Sequence, residues 1–154
     1  MLALILHVVV LGLLLGISLI DARTKEIPPW LNVALLGCGV VAVFVVPEVG
    51  LVSRFVGLFC VSVPLLLMNL FAGDAFGGGD IKLMAAAGFL LGWQGVVLAV
   101  CIGVFIGGVY AGYLIVFKKK GRKEHFAFGP ALCAGIATAF FFGAPLIDWC
   151  FLGW

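Results

Sequence analysis

Apolar runs long enough to cross a bilayer alternate with short polar interruptions along nearly the whole chain. The alternation predicts helices at about 2–20, 30–46, 52–71, 81–98, 100–117 and 126–147. Crossing about 30 Å of hydrocarbon takes roughly 20 apolar residues, and each run is close to that length. The boundary between the fourth and fifth runs is carried only by Gly92-Trp93-Gln94-Gly95. Glycine breaks a helix there, while Trp and Gln suit a membrane interface, so a tight turn is expected, with the fourth helix ending near Leu91. The expected fold class is an all-α polytopic membrane bundle of about six transmembrane helices, forming one domain over residues 1–154. Met1–Ile20 lacks a basic leading stretch, and its apolar part exceeds the roughly 7–15 residues of a signal-peptide core. It therefore reads as a retained first helix.

Composition agrees with this class. Hydrophobic residues make up 65% of the chain and charged residues 10%, against about 25% charged in a typical soluble domain. The 22 glycines are spread through the apolar runs, as expected where helices pack closely in lipid. Cys38, Cys60, Cys101, Cys133 and Cys150 form no CxxC pair and read as small apolar core residues rather than a disulfide framework or metal site. A net charge of +2 gives no reason to expect a nucleic-acid partner.

The placement of charge says more than its sum. Arg23, Lys25, Lys82 and the run from Lys118 to Lys123 fall in one set of alternate loops, leaving only Arg54 on the other side. Eight of the nine basic residues thus mark one face as cytoplasmic, and both termini are expected outside. Arg54, near a helix end, is expected to snorkel to the interface. Lys118–Lys123 reads as a topology anchor touching anionic lipid.

Ionisable residues at membrane depth are costly and therefore candidates for chemistry. Glu26, Glu48, Glu124 and Asp148 fall in loops or the tail, where solvation explains them. Asp21 directly follows the first apolar run, and Asp80 directly precedes the fourth, with two crossings between them. Topology therefore brings both carboxylates to the cytoplasmic face at similar depth. Gly77, Gly78 and Gly79 before Asp80 would let an extended peptide lie close to the backbone. An N-cap role is the plain structural alternative for Asp80, as an ordinary polar turn is for Asp21. Two carboxyls sharing one proton are suited to peptide hydrolysis, one taking a proton from water and the other donating to the scissile carbonyl. His7 and His125 belong to no HExxH or Cys/His cluster, no serine has plausible His and Asp companions, and no phosphate-cradling GxxxxGK[ST] is present.

Asp21 with Ile27-Pro28, the run Gly77-Gly78-Gly79-Asp80-Ile81-Lys82-Leu83, and Phe126-Ala127-Phe128-Gly129-Pro130-Ala131 resemble the type IV prepilin peptidase family. These are membrane-embedded aspartic proteases of the GxGD kind. The resemblance implies a multi-pass bundle in the bacterial cytoplasmic (inner) membrane that cuts the short leader from type IV prepilins and pseudopilins. The cut follows a glycine on the cytoplasmic side. It further implies catalytic roles for Asp21 and Asp80, motif-supporting roles for Gly77, Gly79 and Lys82, and no cofactor or metal. The implied partners are the leader peptide and the lipid bilayer. Bifunctional members carry an amino-terminal cytoplasmic segment, often with paired CxxC motifs, associated with N-methylation. The chain starts at its first helix, so methyltransferase activity is not expected, and its size resembles the compact peptidases of tight-adherence (Flp-type) pilus systems. Pro29 stands where the family usually has Asn, with Asn32 three residues later.

Asp74, after Gly73, rivals Asp80 but lacks the following Ile-Lys-Leu and reads as a loop or substrate-contacting charge. Lys82, two positions after Asp80, faces away from it on a helix. Gly129-Pro130 reads either as a simple break at the entry to the last helix or as a segment packing near the aspartates. Two other functions use the same acids: a small proton- or cation-coupled transporter subunit, or a non-catalytic scaffold with the acids as caps. A carrier would place acids near mid-membrane, whereas Asp21 and Asp80 both sit beside polar loops at one interface.

Overall fold

A computed structural model of the chain describes residues 1–72, 77–118 and 128–152. Within them the apolar runs form six α-helical segments: α1 (Leu2–Thr24), α2 (Pro29–Val45), α3 (Leu51–Cys60), α4 (Ser62–Ala72), α5 (Gly78–Lys118) and α6 (Gly129–Ile147). A single π-helical turn, Asp148–Leu152, extends α6. Four stretches are long and apolar enough to cross a membrane: Leu2–Thr24, Leu51–Phe71, Gly78–Tyr113 and Gly129–Cys150; Pro29–Val45 is a shorter apolar helix. Large apolar side chains such as Leu4, Val8, Leu15, Leu19, Phe44, Phe59 and Phe105 are exposed on the outer faces, a surface suited to lipid. The chain is a multi-pass membrane protein.

Local sequence sets the breaks. α1 runs four residues beyond the expected span, to Thr24, and stops where Lys25 turns left-handed and donates its backbone N–H to the Asp21 carbonyl. Pro29 then opens α2, as proline suits a first helical turn, where its missing N–H costs nothing. The expected third span divides at Val61, because Pro64 has no N–H to give the Cys60 carbonyl four residues earlier.

The expected turn between the fourth and fifth runs is narrower than Gly92–Gly95. Only Gly92 departs from helical geometry, with φ 78° and ψ 175°. That left-handed φ suits glycine, and a Cβ there would also meet Ser53 Oγ at 2.7 Å. The chain reverses direction at this point. Gly79 packs on Ile27, and Leu90 lies beside Gly39. Further on, Gly103 faces Leu132 and Gly107 faces Phe128. Both ends of α5 therefore lie at the end of the bundle that holds the α1–α2 loop and the start of α6, while Gly92 lies at the opposite end.

The core runs along inward stripes. α1 contributes Leu6, Val10, Leu14, Ile17 and Asp21, and α2 contributes Leu31, Asn32, Leu35, Cys38, Gly39 and Ala42. Helices touch closely where side chains are absent. Gly57 of α3 abuts the backbone of Gly88, and Gly135 of α6 abuts the backbone of Ala99 and Gly103. A Cβ at either place would drive into main-chain atoms. Close small-residue contacts of this kind replace the hydrophobic effect as the packing force between helices in lipid.

Arg54 corrects an expectation. Its side chain does not snorkel to an interface but is fully buried, at 0% exposure. All five N–H donors of its guanidinium end on backbone carbonyls. Nε donates to Val49 (3.2 Å), Nη1 to Phe89 (3.2 Å) and Leu90 (2.8 Å), and Nη2 to Ala42 (3.0 Å) and Val46 (2.9 Å). These carbonyls lie at the carboxy-terminal end of α2, in the following loop, and just before the Gly92 break. Carbonyls at helix ends carry partial negative charge, so one cation bonds two helix ends together; the Ala42 carbonyl also accepts the Val46 N–H. Arg54→Met should lower the unfolding free energy in detergent by about 3 kcal/mol or more, since each stranded buried acceptor costs about 1–3 kcal/mol. Arg54→Lys, with three donors in place of a planar fork, should restore only part. Thermal unfolding of the three proteins side by side checks this, and an unchanged midpoint for Arg54→Met would show that the clip contributes nothing.

Candidate active site

Asp21 occupies the last turn of α1 rather than the loop after it. Its place on the inward stripe, four residues after Ile17, turns it into the bundle with 4% exposure. Its Oδ2 accepts a hydrogen bond of 3.0 Å from the backbone N–H of Gly129, the first residue of α6. An amino-terminal helix N–H has no intrahelical partner and carries partial positive charge, so α6 starts where a carboxylate needs a donor. The approach leaves no room for a side chain at 129. A Cβ on Gly129 would lie 2.7 Å from Asp21 Cγ and closer still to Oδ2.

Asp80 is the third residue of α5, inside its first turn, so it is not the N-cap. Its backbone N–H donates to the Gly77 carbonyl at 3.0 Å, and its carboxyl is hydrogen-bonded by the Gly77 backbone and 8% exposed. A Cβ on Gly79 would fall 2.9 Å from Ile27 Cβ, so the glycine lets the start of α5 close against the α1–α2 connection. Gly77 and Gly78 remain exposed.

The structure brings the two aspartates together. They lie within electrostatic range of each other, and the Cys133 side chain on α6, also buried, lies within the same range of both. α1, α5 and α6 thus meet at one polar point near one end of the bundle, and α2 supplies a fourth group. Asn32 is 6% exposed and donates from Nδ2 to the Gly79 carbonyl at 3.4 Å. Its Oδ1 is buried and has no hydrogen-bond partner among the described residues. Lys82 is exposed while Asp80 is buried, which separates the two side chains as expected for positions two apart on a helix. Pro29 is exposed at the start of α2. Asp74, Phe126, Ala127 and the basic run beyond Lys118 lie outside the described residues.

Three contributors were legible only in part. Gly129 belonged to a quoted motif, but nothing local marked its N–H as the donor to Asp21. Cys133 looked like core filler. Asn32 gave a stronger signal, because an amide inside an apolar run is costly without partners. Among the described residues no three His, Cys, Asp or Glu side chains converge into a metal-binding group. The arrangement offers two buried carboxyls, one of them held by a helix N-terminus, beside a carboxamide acceptor and an exposed glycine run.

The sequence profile of the type IV leader peptidase family matches residues 8–112. A prepilin leader peptidase/N-methyltransferase of Burkholderia pseudomallei is 33% identical over 141 residues, covering 86% of this chain and 44% of the relative. Proteins of the same description from Bacillus subtilis and Legionella pneumophila are 28% and 30% identical, covering 92% and 89% of this chain and 57% and 50% of their own lengths. The chain therefore spans about half the length of the curated relatives it matches. No solved structure matches it.

Proposed function

The chain belongs to the type IV leader peptidase family, and from that premise we propose that it is an aspartic endopeptidase removing the leader from prepilin-like proteins. The observation that carries the reading is the approach of Asp21 and Asp80, both buried and within electrostatic range of each other, from positions 59 apart in sequence. Asp21 and Asp80 are the proposed catalytic pair. One carboxylate takes a proton from water as the oxygen adds to the scissile carbonyl carbon. The other carboxyl gives its proton to the carbonyl oxygen. Collapse of the tetrahedral intermediate then breaks the C–N bond. The departing amine takes the proton that the first carboxyl drew from water, while a hydroxyl of the intermediate returns its proton to the second. The Gly129 N–H holds the Asp21 carboxyl in orientation during these transfers, and Gly77 and Gly79 support the bend that presents Asp80.

We read the bundle as six crossings, with Gly92 dividing α5 into two. The 41 residues of α5 would extend about 60 Å as one straight helix, twice the hydrocarbon thickness. Reversal at Gly92 fits both halves into one bilayer. The basic loops then share the aspartate end, which the positive-inside rule assigns to the cytoplasm, with both termini outside. The compartment is the bacterial inner membrane, and the substrate's leader reaches the pair from the cytoplasmic side.

Detergent-purified protein incubated with a candidate prepilin should release the leader at one bond, located by mass spectrometry. Asp21→Asn and Asp80→Asn should each lower cleavage by about 10³-fold or more while inserting normally, whereas Asp74→Asn should retain substantial activity. Full activity in Asp80→Asn would overturn the paired-carboxyl assignment, and loss of wild-type cleavage on adding a chelator would point to a metalloprotease. Gly129→Ala should cut kcat by about 10²-fold, the size expected when a reacting group moves by about 1 Å. Single-turnover cleavage measures this, and a wild-type rate would mean that the Gly129 contact does not position Asp21.

A further inference from the structure

Asn32 takes no part in the proton transfers above, yet it is the polar side chain of α2 that reaches the aspartate site. It lies on the buried stripe with Leu31 and Leu35, where an apolar residue would pack without cost. Its Nδ2 donates to the carbonyl of Gly79, the residue immediately before Asp80. A flipped amide would set oxygen against that carbonyl oxygen, so the bond fixes which end of the carboxamide is free. The free end is Oδ1, a buried acceptor with no partner among the described residues. Buried acceptors left unpaired are rare in folded proteins and call for an explanation.

The surroundings indicate what the acceptor meets. Gly77 and Gly78, the two residues before the Gly79 that Asn32 holds, are exposed and carry no side chains, so another main chain can approach to backbone distance. An extended peptide presents N–H groups at regular intervals whatever its side chains. We propose that Asn32 Oδ1 accepts a main-chain N–H of the substrate next to the scissile bond, making Asn32 a substrate-binding residue. Through Nδ2 and the Gly79 carbonyl, the same carboxamide ties the bound peptide to the segment that carries Asp80. The bond sets the register of the peptide on the aspartates and reads no side chain. This inference rests on the peptidase reading.

The test uses the full chain in detergent and a synthetic prepilin leader peptide. Amides within a few residues of the cut are replaced one at a time by esters, leaving the scissile amide intact. Each ester deletes one N–H without adding bulk. One ester position should lower wild-type kcat/KM by about tenfold, the size of one hydrogen bond worth about 1.4 kcal/mol. In Asn32→Leu that ester should cost less than about twofold, while the all-amide peptide shows a raised KM with a smaller change in kcat. The same comparison in Asn32→Ala prevents a folding defect in one variant from deciding the matter. Wild-type cleavage that tolerates every ester, or an equal ester penalty in wild type and both variants, overturns the assignment of Asn32 alone. Failure of the wild type to cleave the all-amide peptide overturns the peptidase reading and this inference with it.

Discussion

Hydrocarbon offers no hydrogen bonds, so each polar group inside the bundle must find its partner within the protein. The two ends of this molecule meet that constraint in opposite ways. At one end Arg54 spends all five of its donors on carbonyls from α2, the α2–α3 connection and the run before Gly92. Cation and helix ends satisfy each other. At the other end the satisfaction is incomplete. Asp21 takes one donor from α6, and Asp80 is held by the Gly77 backbone. Asn32 keeps an acceptor unpaired among the described residues. Bonding capacity is concentrated where a substrate would meet it.

Close helix packing makes this division possible. Gly57 against Gly88 brings α3 near enough to the first half of α5 for the Arg54 guanidinium to reach the carbonyls of Phe89 and Leu90. Gly135 against Ala99 and Gly103 brings α6 onto the second half of α5. The start of α6 in turn delivers the Gly129 N–H to Asp21. The hydrogen bond and the missing Cβ at 129 are two views of one requirement, namely that the helix terminus sit directly on the carboxyl.

Much of this was legible in the sequence, and the exceptions share a cause. Apolar runs located the helices, and Gly92 with its neighbours placed the reversal to within a few residues. The two crossings between them set Asp21 and Asp80 at one face. The inward face of each helix could not be read, because lipid-facing and core-facing positions are equally apolar; Leu15 and Ile17 look alike, yet the first is exposed and the second buried. Without that face, Asp21 could be assigned to the interface but not turned into the bundle. Arg54 escaped for a related reason. Snorkelling is the ordinary outcome for an arginine near a helix end, and its burial follows from long-range partners at Ala42 and Leu90 that no local pattern announces. Asn32 carried a local signal, a polar amide in an apolar run, but its partner at Gly79 is 47 positions away.

The contrast between the two ends also bears on the carrier alternative. An ion or proton carrier needs a polar route that continues past its acidic groups toward the opposite surface. Here the acids lie in the last turn of α1 and the first turn of α5, close to one end of the bundle. Further along the α2–α3–α5 interface stands a fully buried guanidinium. A fixed arginine charge in a narrow passage raises an electrostatic barrier to cations and protons. Every donor on Arg54 is committed to a carbonyl, so the side chain has no second set of partners to swing toward. The acidic site therefore lies near one end of the bundle, with packed helices and a fixed cation toward the other. That geometry fits a group which acts on a chain presented from one side better than one which passes ions through.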